Sequence, residues 1–217
     1  MHLAPPSPPL GGRDRDRRVP EGVPERRVEL GSPMREAHAP DPPPFPVGEF
    51  VAEGEPDDRV RAGWVDELDR VPSRLRTAVA GLSDADLGAT YRNWTIRQIV
   101  HHLADSNFNS YMRFKLALTE ERPTIKPYDE SRWSRLPDAL RADVDLSLRM
   151  LDGLHGRWTY LLRSVGPEAF RRSYYHPETR ETMPLWRALA YYGWHGRHHT
   201  AQIEWVKRHR LPRGGSG

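Results

Sequence analysis

The chain contains no cysteine. That excludes disulfides, thiolate ligation of a metal and a cysteine nucleophile, so a metal would rest on histidine or carboxylate and any thiol would come from a small molecule. It also has nothing near the roughly 18 consecutive apolar residues that a membrane span needs. Lysine is scarce, only three of 33 basic residues, a bias that fits GC-rich coding better than a function. The formal charge is +3, yet arginine is interspersed with aspartate and glutamate throughout. This reads as a solvated charged surface, with no nucleic-acid face. No apolar stretch follows the basic residues near the N-terminus, as a secretory signal would require. The expected compartment is the cytoplasm.

Proline is abundant and unevenly placed: 12 of 21 fall within the first 46 residues. A segment this poor in aromatic residues and periodicity cannot bury enough apolar surface to offset its ordering entropy. Residues 1–44 are therefore read as a disordered Pro/Arg-rich extension, 45–212 as one domain with a single core, and 213–217 as a flexible tail.

Four segments carry helical periodicity. The first spans about Asp57 to Leu82, with Val60, Trp64, Leu68, Val71, Leu75 and Val79 on one face and a kink expected at Pro72. A turn or single-turn helix follows at Ser83–Asp86. The second helix starts at Thr95 as N-cap, continues through Leu118 and ends before Pro123. About twenty residues without clear periodicity follow, 121–142. The third covers Asp143 to Val165, closed by Gly166-Pro167. A small hairpin is expected in RRSYYHPETRETMP. The fourth runs from Pro184 to about His209. The expected fold is an all-α four-helix bundle with a long connection between helices 2 and 3.

Histidines carry the chemistry. In YYGWHGRHHTAQIEW, His195 and His199 are four apart, so they share one helical face. That face also holds Leu185, Ala188, Tyr192, Ile203 and Val206. Burying an imidazole without a partner is costly. An inward pair opposite a second histidine-bearing helix is read as two metal ligands, whereas the lone His155 is read as structural. His198, near Tyr191 and Gln202, could pair with His195 at i,i+3 but lies at the edge of the apolar stripe. On the second helix, His101 and His102 point 100° apart and neither sits at the apolar centre. His102 aligns with Thr95, Ser106, Asn109 and Arg113, a polar stripe with little charge, and pattern favours it as the third ligand. His101 shares its side with Arg97 and Asp105, which suggests an Asp105–His101 pair. Trp94, Trp158, Trp194 and Tyr192 are read as core or pocket wall.

With these residues in view, the chain resembles the DinB/YfiT superfamily over roughly 45–209, and within it the YfiT-type proteins labelled metal-dependent hydrolases, which include bacillithiol S-transferases. The resemblance is carried by FPVGEF, VPSRLRTAV, WTIRQIVHHLADS, NSYMRFKLALTE, IKPYDE, LHGRWT, YHPET and WHGRHH, in order. It implies a four-helix bundle, usually a homodimer, with one divalent metal per subunit. The ion would be zinc or alternatively nickel, held by His102, His195 and His199. The chain departs from the family at Asn107, where close relatives often carry histidine, and in its long N-terminal extension.

Three neutral imidazoles leave an ion its full charge and an open position, able to lower the pKa of water to about 7 or to hold a thiol as thiolate. Hydrolysis usually wants a carboxylate base, as in H-E-x-x-H. Here Gly196 follows the first histidine, and Asp105 could serve only with the second helix turned towards the metal. The expected activity is therefore transfer of a low-molecular-weight thiol to an electrophilic small molecule. Asn109, Arg113 and Tyr192 would orient the thiol's acidic groups. Hydrolysis of a small substrate is the alternative, and a non-enzymatic metal-binding stress module the second.

Overall fold

A computed structural model describes residues 39–52 and 54–212; the expectations for 1–38 and 213–217 lie outside these. The packed chain starts earlier than residue 45. Pro42 is buried and the Pro43 carbonyl accepts a hydrogen bond from the Tyr91 hydroxyl.

The first periodic segment is two helices, α1 (Asp58–Asp69) and α2 (Val71–Val79), where one kinked helix was expected. The Pro72 ring offers no N–H and would clash with the Leu68 carbonyl, so α1 stops, whereas proline is tolerated in the first turn of α2. Asp57 caps α1, its carboxylate accepting from Val60 N at 2.7 Å. The single turn α3 (Asp84–Leu87) follows, capped by Ser83. A short hairpin of β1 (Thr90–Tyr91) and β2 (Trp94–Thr95) comes next. Two-residue strands leave no alternation to detect, and this hairpin was not foreseen.

Helix α4 (Ile96–Thr119) opens with a reciprocal capping box. Gln98 N donates to Thr95 Oγ1 at 3.1 Å and Thr95 N to Gln98 Oε1 at 3.0 Å. The long connection contains two short helices, α5 (Glu130–Trp133) and α6 (Pro137–Arg141). Helix α7 (Val144–Ser164) follows, then β3 (Ser173–His176) paired antiparallel with β4 (Glu181–Pro184), and finally α8 (Leu185–His209). Tyr175 N donates to the Pro123 carbonyl at 2.9 Å and Ile125 N to the Tyr175 carbonyl at 3.0 Å, so the connection is stitched to the hairpin.

The α1–α2 pair, α4, α7 and α8 form the four-helix bundle, with α4 packed on α7 and α8, and α1–α2 on the same two helices. Its apolar interior is divided in two. One cluster gathers Leu75, Ile99, Leu103, Leu151 and Ile203; the other gathers Leu68, Phe114, Trp158, Leu189 and Tyr192. On α7 and α8 the stretch between the two clusters carries histidine, His155, and His195 with His199; His102 meets the latter pair from the part of α4 that also carries the first cluster.

Candidate metal centre

His102 comes from the first half of α4, and His195 and His199 from one turn-and-a-bit of α8. All three are buried, 5%, 6% and 8% exposed. Their Nε2 atoms converge: His102 to His195 is 3.4 Å, and His195 to His199 is 3.1 Å. Nitrogens bound to one tetrahedral ion at 2.0–2.1 Å lie about 3.3–3.4 Å from each other. The donor set therefore fits a divalent ion with a position left over. Among the described residues no fourth ligating side chain joins the three, from the 121–142 connection or elsewhere.

The imidazoles are kept neutral, as ligands must be. Burial, reinforced by His198, brings His102 down to about 3, and burial with mutual repulsion takes His195 and His199 well below 6.5. Among the described residues no carboxylate joins the three imidazoles as a ligating group. His199 Nδ1 donates to Gln202 Oε1 at 2.7 Å, so its Nε2 lone pair faces the cluster. The same glutamine donates from Nε2 to His198 Nε2 at 2.9 Å. His198 thus stands behind the ligand pair, stacked on Trp194 with ring centroids 4.7 Å apart. Trp94 lies edge-on to His102 at 4.5 Å, and Tyr191 stacks on His195 at 5.5 Å.

Gly196, between the ligands, has a packing reason. A Cβ at this position would overlap the γ-methyls of Val71, where α8 crosses the start of α2. The position that holds the base in H-E-x-x-H has no room for a side chain.

His101 turns away from the centre. Its Nε2 donates to the Ala142 carbonyl at 3.2 Å, and Nδ1 accepts from Ser147 Oγ at 2.8 Å. The expected Asp105–His101 pair does not form: those two bonds satisfy both ring nitrogens. Asp105 is half-buried, and burial followed by the charge of Asp138 raises its carboxyl to about 6. It is not part of the three-histidine cluster. His155 donates from Nδ1 to the Leu68 carbonyl at 2.7 Å, a structural bond between α7 and α1.

Of the residues expected to touch substrate, Tyr192 is buried and edge-on to His195 at 5.9 Å. Arg113 is buried further along α4 beside Tyr174 and His176 of the hairpin. Asn109 folds onto its own helix, Nδ2 donating to the Asp105 carbonyl at 2.9 Å. Sequence reasoning missed Tyr128, which joins Ser106 and Tyr192, and half-buried Glu130, whose carboxyl is raised by burial and then by Asp129 and Glu178. Both sit in the aperiodic connection and carry no spacing signal. Gln202 was detectable, because it stands at i+3 from His199.

Against known proteins, residues 67–203 match the family described as the DinB superfamily. The Bacillus subtilis (strain 168) protein named "Putative metal-dependent hydrolase YfiT" is 47% identical over 166 residues, covering 76% of this chain and 93% of that protein. A Bacillus mycoides (strain KBAB4) protein of the same description is 47% identical over 161 residues, covering 73% and 92%. The solved structure of Bacillus subtilis YfiT, described as "a probable metal-dependent hydrolase with an unusual four-helix bundle topology", superposes with a TM-score of 0.73 at 47% identity, covering 76% of this chain and 95% of that one. The paired helices, the histidine centre between them and these likenesses agree: the chain belongs to the DinB superfamily, among proteins of the YfiT type.

Proposed function

We propose that the protein is a metal-dependent enzyme that activates a low-molecular-weight thiol, bacillithiol-like in kind, for transfer to an electrophilic small molecule. The supporting observation is a buried set of three imidazole donors that no carboxylate of the described residues joins. A divalent ion held there, zinc in our reading and nickel as the alternative, supplies positive charge that favours the ionised form of a coordinated thiol. His102, His195 and His199 hold the ion, Gln202 fixes the ring of His199, and Trp94 and Tyr191 wall the centre against water. Tyr192 lies against His195, where the thiol's carbon skeleton would pass.

The experiment is conjugation of monochlorobimane by the metal-loaded protein in the presence of several small thiols. A rate that depends on both thiol and metal supports this reading, and no thiol-dependent conjugation sinks it.

Hydrolysis is the second reading. It is favoured by the description of the relatives and by the half-buried Asp105, whose carboxyl, raised to about 6, suits a general base near neutrality; burial also raises the carboxyl of Glu130. Turnover of esters or amides without added thiol would select it. A purely structural metal module is disfavoured, since structural zinc sites are usually closed by four protein ligands. We further propose a homodimer, to which Phe108 and Met112, large and exposed on α4, would contribute. Sedimentation equilibrium tests it.

A further inference from the structure

The described part of the molecule has two buried arginines on α4, and their surroundings differ. Arg97 bonds the Asp84 carboxylate and donates to the Ala142 carbonyl at 2.8 Å. Arg113, 4% exposed, has no carboxylate within ion-pair distance among the described residues, and its Nε has no hydrogen-bond partner. Burying a guanidinium without a counter-charge is strongly unfavourable unless something compensates it.

The polar neighbours of Arg113 are neutral hydroxyls and an imidazole, with Tyr174 within hydrogen-bonding reach of the guanidinium. Ser110, one turn earlier on α4, is fully buried with an unpartnered Oγ. Tyr174 and His176 alternate inward along β3 and face the guanidinium; both are buried, and His176 Nδ1 has no partner. The Tyr128 hydroxyl stands nearby, against Ser106 and Tyr192. Glu178 and Glu181 act on His176 from exposed positions on the hairpin, and half-buried Glu130 acts on Tyr128; none of them is within ion-pair distance of Arg113. One fixed cation among neutral groups able to donate, ion-paired with no acid of the described chain, is what a carboxylate-binding subsite requires.

We propose that Arg113, with Ser110, Tyr174 and His176, binds a carboxylate group of the substrate. His102 and Arg113 lie on the same face of α4, since eleven residues make almost exactly three turns, and about 16 Å apart at 1.5 Å per residue. Both side chains lean towards the helix N-terminus, so their working ends keep a similar offset. The substrate is then an elongated acid, with its reacting end at the imidazoles and its carboxylate at Arg113. Tyr192, edge-on to His195 and near both Tyr174 and Tyr128, stands between the two ends. The inference deepens the proposed function and rests on it only for the identity of the reacting end.

Two measurements test it separately from the thiol chemistry. In the first, metal-free protein is titrated with hexanoate and with methyl hexanoate by calorimetry. The acid is expected to bind at least tenfold more tightly than the ester to the wild type, and Arg113→Gln to abolish the difference. Equal binding of acid and ester by the wild type overturns the proposal without needing a variant to fold. In the second, cobalt-loaded protein is titrated with 3-mercaptopropionate, 6-mercaptohexanoate and 11-mercaptoundecanoate against their methyl esters, following the visible spectrum. The preference for acid over ester should emerge only in the longer members, because the shortest cannot bridge three helical turns; a preference independent of length overturns the proposed span. If hexanoate binds through Arg113 but no thiol perturbs the cobalt spectrum, the carboxylate subsite stands and the thiol-transfer reading falls.

Discussion

Gln202 Oε1 accepts from Nδ1 of His199 at 2.7 Å, and this one bond decides which nitrogen of His199 faces the other two imidazoles. Loss of such an outer partner usually weakens a metal site by about 10–100-fold. Gln202→Ala is expected to weaken zinc affinity by that order while leaving the helix content unchanged. Competition with a chromogenic chelator measures it. Gln202→Glu, which keeps an acceptor in place, should retain most of the affinity.

Gly196 is held by its contact with Val71. Gly196→Ala is expected to destabilise the protein by about 1–3 kcal/mol, the usual range for overpacking a tight contact. The helical gain of alanine over glycine, about 1 kcal/mol, offsets part of this. Denaturant unfolding of the metal-free protein gives the difference, and Val71→Ala in the same chain should restore part of it.

Burial lowers the pKa of several imidazoles in the fold, to about 3 at His102 and about 4 at His155 and His198. In the unfolded chain these groups take up protons below about 6.5. Between that value and their folded pKa the unfolded state binds more protons, so stability falls as pH falls. The stability of chelator-treated protein is expected to drop steadily from pH 7 to pH 5, by the order of 1–2 kcal/mol for each such group. A flat profile over this interval, measured by urea unfolding, would show that the imidazoles are charged in the folded state.

Asp105 separates the two chemistries. Its carboxyl, raised to about 6, is suited to proton transfer but lies outside the three-histidine cluster. Asp105→Asn is expected to change thiol conjugation by less than about twofold. A fall of about a hundredfold or more in turnover, in line with loss of a general base, would instead favour hydrolysis.

The helices that carry the centre were readable because α8 is amphipathic: Ile203, Val206, Leu185 and Ala188 mark one face, and His195 and His199 interrupt it. Helix α4 was harder. It is covered on more than one side, so His101 and His102 are both buried, one towards Ser147 of α7 and the other towards α8. With apolar residues on nearly every side, periodicity alone could not say which histidine faced inward. Tyr128, Glu130, Tyr174 and His176 were out of reach for a different reason. They come from the aperiodic connection and the hairpin, and what places them is the pairing of Pro123–Ile125 with Tyr175, a contact about fifty residues apart in the chain. At Pro72 the local rule was correct in kind but underestimated in degree.

The buried histidine cluster of α4 and α8 has a thermodynamic meaning. In most bundles the core is continuous, and hydrophobic burial alone holds the helices together. Here the middle of the interior depends on imidazoles whose nitrogens face one another 3.1–3.4 Å apart. An ion bound there joins α4 to α8 where apolar packing is interrupted, and it stabilises the fold by RT ln(1 + [L]/Kd), about 4 kcal/mol at a thousandfold excess over Kd. With an ion bound as proposed, the fold becomes a gauge of free metal: a chelator is expected to lower the stability, and the melting temperature to follow the concentration of the ion.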